Sequence, residues 1–378
     1  MKRPLIKRVT VGRGASGHKE TSRIVEKIAR LDPHSDLFSV DPKGRTPSAP
    51  GKEDLELVSF PGEFLKPCPG TKGYICCGYQ ILQVGRGCPL NCSYCILQAY
   101  FEAPNQAVFV NLLENISAVT AVLDRNPSKI FRMGTGEFVD SLALDLLVEW
   151  SRMLPPHFSS RKNAVLEFKT KTTCVDGFLS SHHRDRVVLS WSLNSAAVVS
   201  NEEHGAPAIR KRLEAAKRCQ DEGYMLGFHF DPLIEHPLWK DGYRKTIEWL
   251  DRYIDPKRVI WMSLGCLRFM PSLKRIVREK HPESHILDGE FILGLDGKMR
   301  YFKPIRIEMY GNIAEMLQQW YGNQGLYLCM ESDDIWRQAL GWSPKNSEGL
   351  SRYLDERVVH IFGPPGQEEA LDGAEDEE

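Results

Sequence analysis

The sequence has no long apolar run. No segment approaches the roughly 20 apolar residues that a membrane-spanning helix needs, and the basic amino terminus "MKRPLIKRVTVGRGASG" lacks the apolar core of a secretion signal. We therefore expect a cytoplasmic protein with no membrane partner. In that compartment we expect the 10 cysteines to be thiols or metal ligands rather than disulfides.

The sequence also has no excess of charge of either sign. Its 49 basic and 50 acidic side chains leave a net charge of −1, so it lacks the overall basic charge of a general nucleic-acid binder. Any affinity for nucleic acid must come from a local basic surface. With 378 residues, 42% of them apolar, the chain can form one large domain or two ordinary ones.

Strands and helices alternate over residues 79–285. Six apolar segments are each followed by a segment with helical periodicity: "YQILQVGRG", "KIFRMGTGE", "AVLEFKTK", "RVVLSWSLN", "YMLGFHFDPL" and "RVIWMSLG". This alternation predicts an α/β fold with a parallel sheet and crossover helices. Six units fit a partial (β/α)6 TIM-like barrel better than a full eight-unit barrel, although the count alone does not distinguish it from an open doubly wound sheet.

The segments on either side of this alternation differ from it. We expect an N-terminal α/β extension with a cysteine-containing loop over residues 1–78 and a C-terminal extension covering the barrel over residues 286–345. The second extension contains "NIAEMLQQWYGNQGLYLCMES", which we predict to be an aromatic-rich helix. Residues 346–378 end in the acidic segment "GQEEALDGAEDEE", so we expect this tail to be mostly disordered.

Polar and charged residues collect where the predicted strands end. They are Cys88, Gly134 to Glu137, Lys169, Lys171, Ser192, Asn194, Asp231 and Arg268. In a parallel barrel the carboxyl ends of the strands meet at one face, and that face holds the active site. We therefore expect these side chains to lie together.

Cys88, Cys92 and Cys95 have the spacing C-x3-C-x2-C in "GRGCPLNCSYCILQAYF", directly after the first barrel strand. Three thiolates on one tight loop can hold three irons of a [4Fe–4S] cube and leave the fourth iron open. A structural zinc site would close with a fourth nearby Cys or His. A loop containing glycine and proline is also a poor setting for three core cysteines. The spacing therefore favours an open iron–sulfur cluster over zinc or core packing.

The cysteine spacing after the first barrel strand resembles that of the radical S-adenosylmethionine superfamily. Further segments resemble consecutive parts of its spore photoproduct lyase-like family: "CSYCILQ", "LSWSLNS", "RLEAAKRCQDEGYMLGFHFDPL", "WKDGY" and "SLGCLRFMPSLKRIV". The chain is identified as a member of that family over roughly residues 80–330. The resemblance implies that the open iron chelates S-adenosylmethionine and that electron transfer cleaves it to a 5′-deoxyadenosyl radical. An external reductant such as flavodoxin or ferredoxin would supply the electron.

The resemblance also assigns ligand roles at the strand ends. "GTGE", formed by Gly134, Thr135, Gly136 and Glu137, would meet the methionyl amine, although a helix-capping turn is the alternative. Lys171 and Ser192 would contact the methionyl carboxylate, with Lys169 as the alternative cation. Asn194 would bond the ribose or the carboxylate. Asp231 would lie near the adenosine, and Tyr94 matches the aromatic residue that packs near the adenine.

Two positions depart from the family pattern. Family members carry a hydrogen-donor cysteine near the end of the second strand, where this chain has Gly134, and a relay tyrosine after the third cluster cysteine, where it has Ile96. Of that apparatus only Tyr94 remains. A lesion in nucleic acid or a nucleotide is the substrate class that the resemblance implies. The departures keep a non-DNA substrate, either a peptide or a small molecule, as the alternative.

Other thiols and a basic segment add two further hypotheses. Cys68, Cys76 and Cys77, together with Cys329, could bind an auxiliary metal or cluster, supply a hydrogen donor or simply pack. Basic residues interleaved with aromatic ones suit phosphates and bases, although a solvated charged face explains them equally. These residues are Lys274, Arg275, Arg278, Lys298, Arg300, Lys303 and Arg306, with Tyr301, Phe302 and Tyr310.

Overall fold

The computed structural model describes residues 6–31, 35–39, 51–71, 73–101 and 103–366. Its strands are β1 (Arg8–Val11), β2 (Asp36–Ser39), β3 (Asp54–Val58), β4 (Leu65–Pro67), β5 (Gln80–Leu82), β6 (Gly85–Arg86), β7 (Asn91–Cys92), β8 (Gln106–Phe109), β9 (Phe131–Gly134), β10 (Ala164–Thr170), β11 (Val187–Ser192), β12 (Glu203–His204), β13 (Met225–Leu233), β14 (Val259–Cys266), β15 (Arg268–Phe269), β16 (Phe291–Leu293), β17 (Met299–Tyr301) and β18 (Leu326–Leu328).

Helices connect these strands and cover the sheets. The α-helices are α1 (Lys19–Leu31), α2 (Leu97–Tyr100), α3 (Ile116–Asp124), α4 (Asp145–Val148), α5 (Trp150–Met153), α6 (Pro155–Phe158), α7 (Asp176–Leu179), α8 (Ala196–Glu202), α9 (Ile209–Asp221), α10 (Trp239–Tyr253), α11 (Pro271–Lys280), α12 (Lys303–Tyr321), α13 (Asp333–Leu340) and α14 (Ser347–Phe362). Among the described residues, no helix combines the length and apolar character that crossing a membrane requires.

The largest sheet is a curled partial barrel of eight strands in the order β18-β14-β13-β11-β10-β9-β5-β4. Every neighbouring pair is parallel except β4 with β5. The six strands predicted from the sequence are β5, β9, β10, β11, β13 and β14, and they lie side by side in chain order. The partial barrel is therefore confirmed, because a doubly wound sheet would reverse its strand order at a switch point.

The N-terminal residues form a second sheet that leads to the cysteine loop. Its order is β2-β1-β3-β8-β6. Strand β8 pairs in parallel with β3 and antiparallel with β6, the strand directly before Cys88. The start of the cysteine loop is thus anchored in a sheet outside the barrel.

The helix predicted from "NIAEMLQQWYGNQGLYLCMES" is wrong in its second half. Helix α12 ends at Tyr321, where Gly322 follows with a φ of 81°. Leu326–Leu328 then pair in parallel with Met262–Leu264 and add a seventh parallel strand to the barrel. Two glycines with positive φ separate the helix from the strand, since Gly325 has a φ of 89°.

The helix predicted after the second barrel strand is also interrupted. Residues 145–158 form three short helices, α4 to α6: Glu149 has a left-handed φ of 55° between α4 and α5, and α6 begins at Pro155. The Glu149 carboxylate forms ion pairs with Arg23 at 2.5 Å and Lys27 at 2.7 Å. Helix α1 of the N-terminal extension therefore docks where this helix breaks.

The expectation of a mostly disordered tail is wrong for its first half. Helix α14 covers residues 347–362, and its Leu350, Leu354 and Val358 side chains are buried. Asp355 on the same helix accepts a hydrogen bond from Arg132 at 2.8 Å. The apolar residues recur at helical spacing and bury one face, which the acidic composition of the whole tail obscured. Residues 367–378 lie outside the described residues.

The buried face of helix α14 should contribute measurably to the free energy of unfolding. Leu354→Ala should lower the free energy of unfolding by about 2–5 kcal/mol, because it leaves a cavity under a fully packed side chain. Val359→Ala, on the exposed side of the same helix, should change it by no more than about 0.5 kcal/mol. Urea unfolding of both variants measures the difference, and equal stabilities would show that the helix does not pack as described.

Candidate active site

The three-cysteine loop is shaped by its backbone neighbours. Gly87, one residue before Cys88, has a φ of 81°, and a Cβ there would lie 2.6 Å from the carbonyl oxygen of Asn105. Cys92 lies on β7, which pairs antiparallel with β12, and the Cys95 amide donates to the Cys92 carbonyl at 3.2 Å. The chain therefore turns tightly, and all three cysteines line one cavity of about 360 Å³.

The number of thiols on the loop suits a cluster better than a structural zinc ion. Zinc in a structural site takes four ligands, whereas a cube binds each thiolate through a different iron, so three thiolates hold it and leave one iron open. Burial raises the pKa of Cys92 to about 12 and also raises that of Cys88, so binding iron must displace their protons.

The carboxyl ends of the barrel strands form the rest of the cavity wall, as the sequence predicted. Five residues assigned to S-adenosylmethionine line it: Gly136, Glu137, Lys171, Ser192 and Asp231. Lys169, Arg268 and the cluster cysteines line the same space. The structure thus brings the three thiols of the loop together with Lys169 and Lys171 at the end of β10, Glu137 after β9 and Asp231 on β13.

Three of the predicted ligand residues do not line the cavity. Thr135 is buried and its hydroxyl bonds Ser141 at 2.7 Å. The Asn194 side chain accepts a hydrogen bond from the Tyr243 hydroxyl at 2.6 Å and donates to the Pro232 carbonyl at 2.9 Å. The third, Gly134, is covered by the side chain of Tyr79. These residues position the cavity wall instead of facing a ligand.

A tyrosine fills the space beside Gly134. A Cβ at this position would overlap the Tyr79 hydroxyl and lie 2.8 Å from the carbonyl oxygen of Glu167. The Tyr79 hydroxyl donates a hydrogen bond to the Glu167 carboxylate. No side chain, and therefore no cysteine, fits at residue 134 while Tyr79 keeps this position.

Lys169 lies on β10 and Lys171 directly follows this strand, and the two lysines have different neighbours. Burial lowers the pKa of Lys171, but the charge of Glu203 outweighs it and raises the pKa overall. The pKa of Lys169 is likewise raised, with Glu137 as the main stabilising charge. Both lysines are therefore cationic. Lys171 faces the cysteine loop, and its ammonium lies 5.7 Å from the centre of the Tyr94 ring.

Glu167 is a buried carboxylate at the base of the cavity that the sequence analysis did not single out. It accepts hydrogen bonds from Trp261 Nε1 at 2.7 Å and His229 Nε2 at 3.0 Å, and also from the hydroxyls of Ser190 and Tyr79. Burial alone would raise the pKa of Glu167, but His229 and the hydrogen bonds lower it to about 2. The signal in the sequence was one acidic residue inside the apolar strand "AVLEFKT".

A second buried polar group holds Tyr94. The Tyr94 hydroxyl and the guanidinium of Arg212 both donate to the Glu203 carboxylate. Burial and the adjacent Glu203 charge raise the pKa of Tyr94 well above its usual value. The ring faces the cavity while its hydroxyl stays protonated and bonded behind the wall. Glu203 and Arg212 were missed because no local motif marks them.

Asp231 and Arg268 form an ion pair at the far end of the cavity. Their side chains bond through both oxygens at 3.1 and 3.2 Å. Burial would raise the pKa of Asp231, but Arg268 outweighs it and lowers the pKa. Cys329 lies beside this pair, with its sulfur 3.7 Å from Arg268 Nη2. A thiol therefore adjoins a fixed charge pair within the same cavity.

All four of the additional thiols singled out from the sequence line this cavity: Cys68, Cys76, Cys77 and Cys329. Burial raises the pKa of Cys68 to about 12 and raises those of Cys77 and Cys329. These three are protonated thiols at neutral pH. An auxiliary metal or cluster at Cys68, Cys76 and Cys77 stays a hypothesis.

The predicted basic segment does not form a continuous basic surface. Arg300 and Arg306 are buried and form ion pairs with Asp296 and Glu331. The aromatic residues Tyr301 and Tyr310 are buried as well. Lys298 is the member of the segment that lines the cavity. The two buried arginines therefore serve the fold, whereas Arg275 and Lys303 form ion pairs at the surface.

Comparisons with known proteins agree on one family. The family model of spore photoproduct lyase matches residues 76–304, more than half of the chain. Spore photoproduct lyase of Bacillus subtilis is 29% identical over 208 residues, which cover 54% of this chain and 61% of that protein. Spore photoproduct lyase of a Geobacillus strain is 26% identical over 225 residues, which cover 59% of this chain and 64% of that protein. The match thus spans less than two thirds of these relatives' own length.

Solved structures support the same fold. A spore photoproduct lyase mutant with dinucleoside spore photoproduct has a TM-score of 0.75 and 22% identity, covering 85% of this chain and 97% of that one. Another mutant, with bound AdoMet and the same dinucleoside, has a TM-score of 0.74 and 21% identity, covering 86% and 99%. At this identity the likeness establishes the barrel architecture.

The contact between Gly134 and Tyr79 can be tested by stability. Gly134→Ala should lower the free energy of unfolding by about 1–3 kcal/mol, because the added methyl overlaps the Tyr79 hydroxyl. Tyr79→Phe removes that hydroxyl, so the double variant should lose less than the sum of the two single losses. Gly17→Ala, with open space around its Cβ, is the control. Strict additivity in urea unfolding would argue against the contact.

Proposed function

This chain belongs to the spore photoproduct lyase family, and we propose that it is a radical S-adenosylmethionine enzyme with a [4Fe–4S] cluster at Cys88, Cys92 and Cys95. When bound, the cluster would supply the electron that cleaves S-adenosylmethionine to a 5′-deoxyadenosyl radical. The observation that carries the proposal is one cavity lined by three thiols of a single loop and by charged residues at the strand ends.

The charged residues suit the polar groups of S-adenosylmethionine. We assign the methionyl amine to the carboxylate of Glu137 and the methionyl carboxylate to Lys171 and Ser192. Lys171 is preferred to Lys169 because it faces the cysteine loop, where the amino-acid end must lie to reach the open iron. We assign Asp231, another residue of the cavity wall, to the adenosine.

The proposed substrate is a nucleic-acid lesion or a nucleotide. The support is the relatives' name and the dinucleoside spore photoproduct in the related structures. A lesion within duplex DNA would have to be extruded to enter a cavity at the barrel end. Lys298 at the cavity wall is available for a phosphate, although most neighbouring cations are already paired.

A non-DNA substrate, either a peptide or a small molecule, is the second candidate. Two observations favour it: no cysteine fits at residue 134, and four of the seven cations of the basic segment are in ion pairs. In that case the same radical would abstract hydrogen from a different molecule. UV-irradiated DNA separates the candidates, because only the first expects binding and repair of the DNA.

Cys329 is the thiol that we assign to hydrogen return. A hydrogen-atom donor must carry its proton, and burial together with the charge of Asp231 keeps Cys329 protonated. Its S–H bond would break to place one hydrogen atom on the product radical, which leaves a thiyl radical. That thiyl would regain a hydrogen atom from 5′-deoxyadenosine, so the radical is re-formed. Tyr79 and Tyr327 line the same cavity as Cys329.

The cofactor assignment predicts cleavage of S-adenosylmethionine. After anaerobic reconstitution with iron and sulfide and reduction with dithionite, the wild-type chain should form 5′-deoxyadenosine. Cys92→Ala should bind less iron and form none, because the cube loses one of its three thiolates. Cys174→Ala, outside the cavity, should keep both properties. Equal iron and equal 5′-deoxyadenosine in wild type and Cys92→Ala would refute the assignment.

If Cys329 returns the hydrogen atom, removing its thiol should slow repair of the dinucleoside without stopping formation of 5′-deoxyadenosine. With dinucleoside spore photoproduct, Cys329→Ala should form repaired dinucleoside at least about tenfold more slowly, or about 1.4 kcal/mol in transition-state free energy. It should still form 5′-deoxyadenosine, because the thiol acts after that step. Cys174→Ala is again the control, and chromatography of both products gives the ratio. Repair at the wild-type rate in Cys329→Ala would remove this residue from the reaction.

A further inference from the structure

Two histidines and a glutamate outside the cavity form a compact group. One nitrogen of His204, one nitrogen of His281 and one carboxylate oxygen of Glu283 all lie within 4.8 Å of one another. His204 Nε2 is 3.8 Å from Glu283 Oε1. The two imidazole rings are nearly parallel, at 13°, with centres 5.4 Å apart. None of the three residues lines the cavity of the cysteine loop.

His281 has an unusual hydrogen-bonding state. Its side chain is 97% buried, since only 3% of the residue is exposed, yet its Nε2 atom has no hydrogen-bond partner. Buried polar atoms nearly always have one, and an unpaired one points to a ligand that binds there.

We propose that His204, His281 and Glu283 bind a zinc ion. Two imidazole nitrogens and one carboxylate oxygen are a zinc ligand set, with water able to complete the tetrahedron. Moving each donor to about 2.0–2.2 Å from a shared ion requires small side-chain shifts, and Glu283 and His204 are exposed enough to make them. A divalent cation would also satisfy the unpaired Nε2 of His281.

The charged groups near His281 allow a cation. Lys52 is one of them, but its ammonium already donates to the Leu90 carbonyl at 2.6 Å. Glu202, on the other side, accepts hydrogen bonds from Ser93 and Ser284 and adds negative charge. The Glu202 and Glu283 charges together offset Lys52, so a divalent ion is electrostatically acceptable.

The site would fasten the back of the cysteine loop. His204 lies on β12, and its strand partner is Asn91, the residue before Cys92. His281 directly follows α11, which ends at Lys280. Zinc would therefore join α11 to the two-stranded sheet that carries Cys92. This role is structural and holds whether or not the cluster performs the proposed chemistry.

Zinc binding by the untagged full-length protein tests the site. The protein, with its iron–sulfur cluster in place, is stripped of loose metal and titrated with zinc, and bound zinc is measured by mass spectrometry. Wild type should bind one zinc per chain. His204→Ala and Glu283→Gln should each weaken binding by at least about 100-fold, the upper end of what loss of an outer-shell partner costs.

Controls separate this site from the cysteines. His285→Ala changes an exposed histidine nearby and should bind zinc as wild type does. Zinc should raise the thermal midpoint of wild type and of His285→Ala, but not that of His204→Ala. The exposed positions of His204 and Glu283 avoid unfolding the chain, which His281→Ala could cause. Zinc held equally by wild type, His204→Ala and Glu283→Gln, or by none of them, would overturn the proposal.

Discussion

The Glu167 carboxylate joins the strands of the barrel at the base of the cavity. It lies on β10 and accepts hydrogen bonds from residues on β11, β13 and β14 and from Tyr79, directly before β5. A buried charge is tolerated only when its hydrogen bonds are satisfied, and here four donors satisfy it. The donors also limit the size of the residues that fit beside them. A Cβ at Gly227 would overlap the Ser190 hydroxyl and lie 2.8 Å from Trp261 Nε1, so that strand needs glycine.

This arrangement explains how the chain departs from the family pattern. Tyr79 reaches Glu167 through the space above Gly134, which leaves no room for a cysteine on the second barrel strand. Cys329, directly after β18, is a thiol that does line the cavity, and we propose it as the hydrogen donor in place of a residue on the second barrel strand.

The elements with strong local patterns were predictable from the sequence. Six apolar strands gave the barrel, and the cysteine spacing located its functional end. The failures have physical causes that a local pattern does not carry. Glu149 breaks a helix because it pairs with Arg23 and Lys27 from a distant helix. Asn194 follows a strand end as predicted, but Tyr243 and Pro232 occupy its hydrogen bonds. Arg300 and Arg306 appear as a basic surface only until their buried acidic partners are known.

The proposed chemistry depends on an iron that stays open for S-adenosylmethionine beside Lys171 and Glu137. Electron paramagnetic resonance of the reduced cluster, recorded with and without S-adenosylmethionine, tests this most directly. If the cosubstrate binds the open iron, its addition should change the signal of the wild-type cluster, and Lys171→Met should require more S-adenosylmethionine for the same change. A reduced cluster whose signal is identical with and without S-adenosylmethionine would contradict the account.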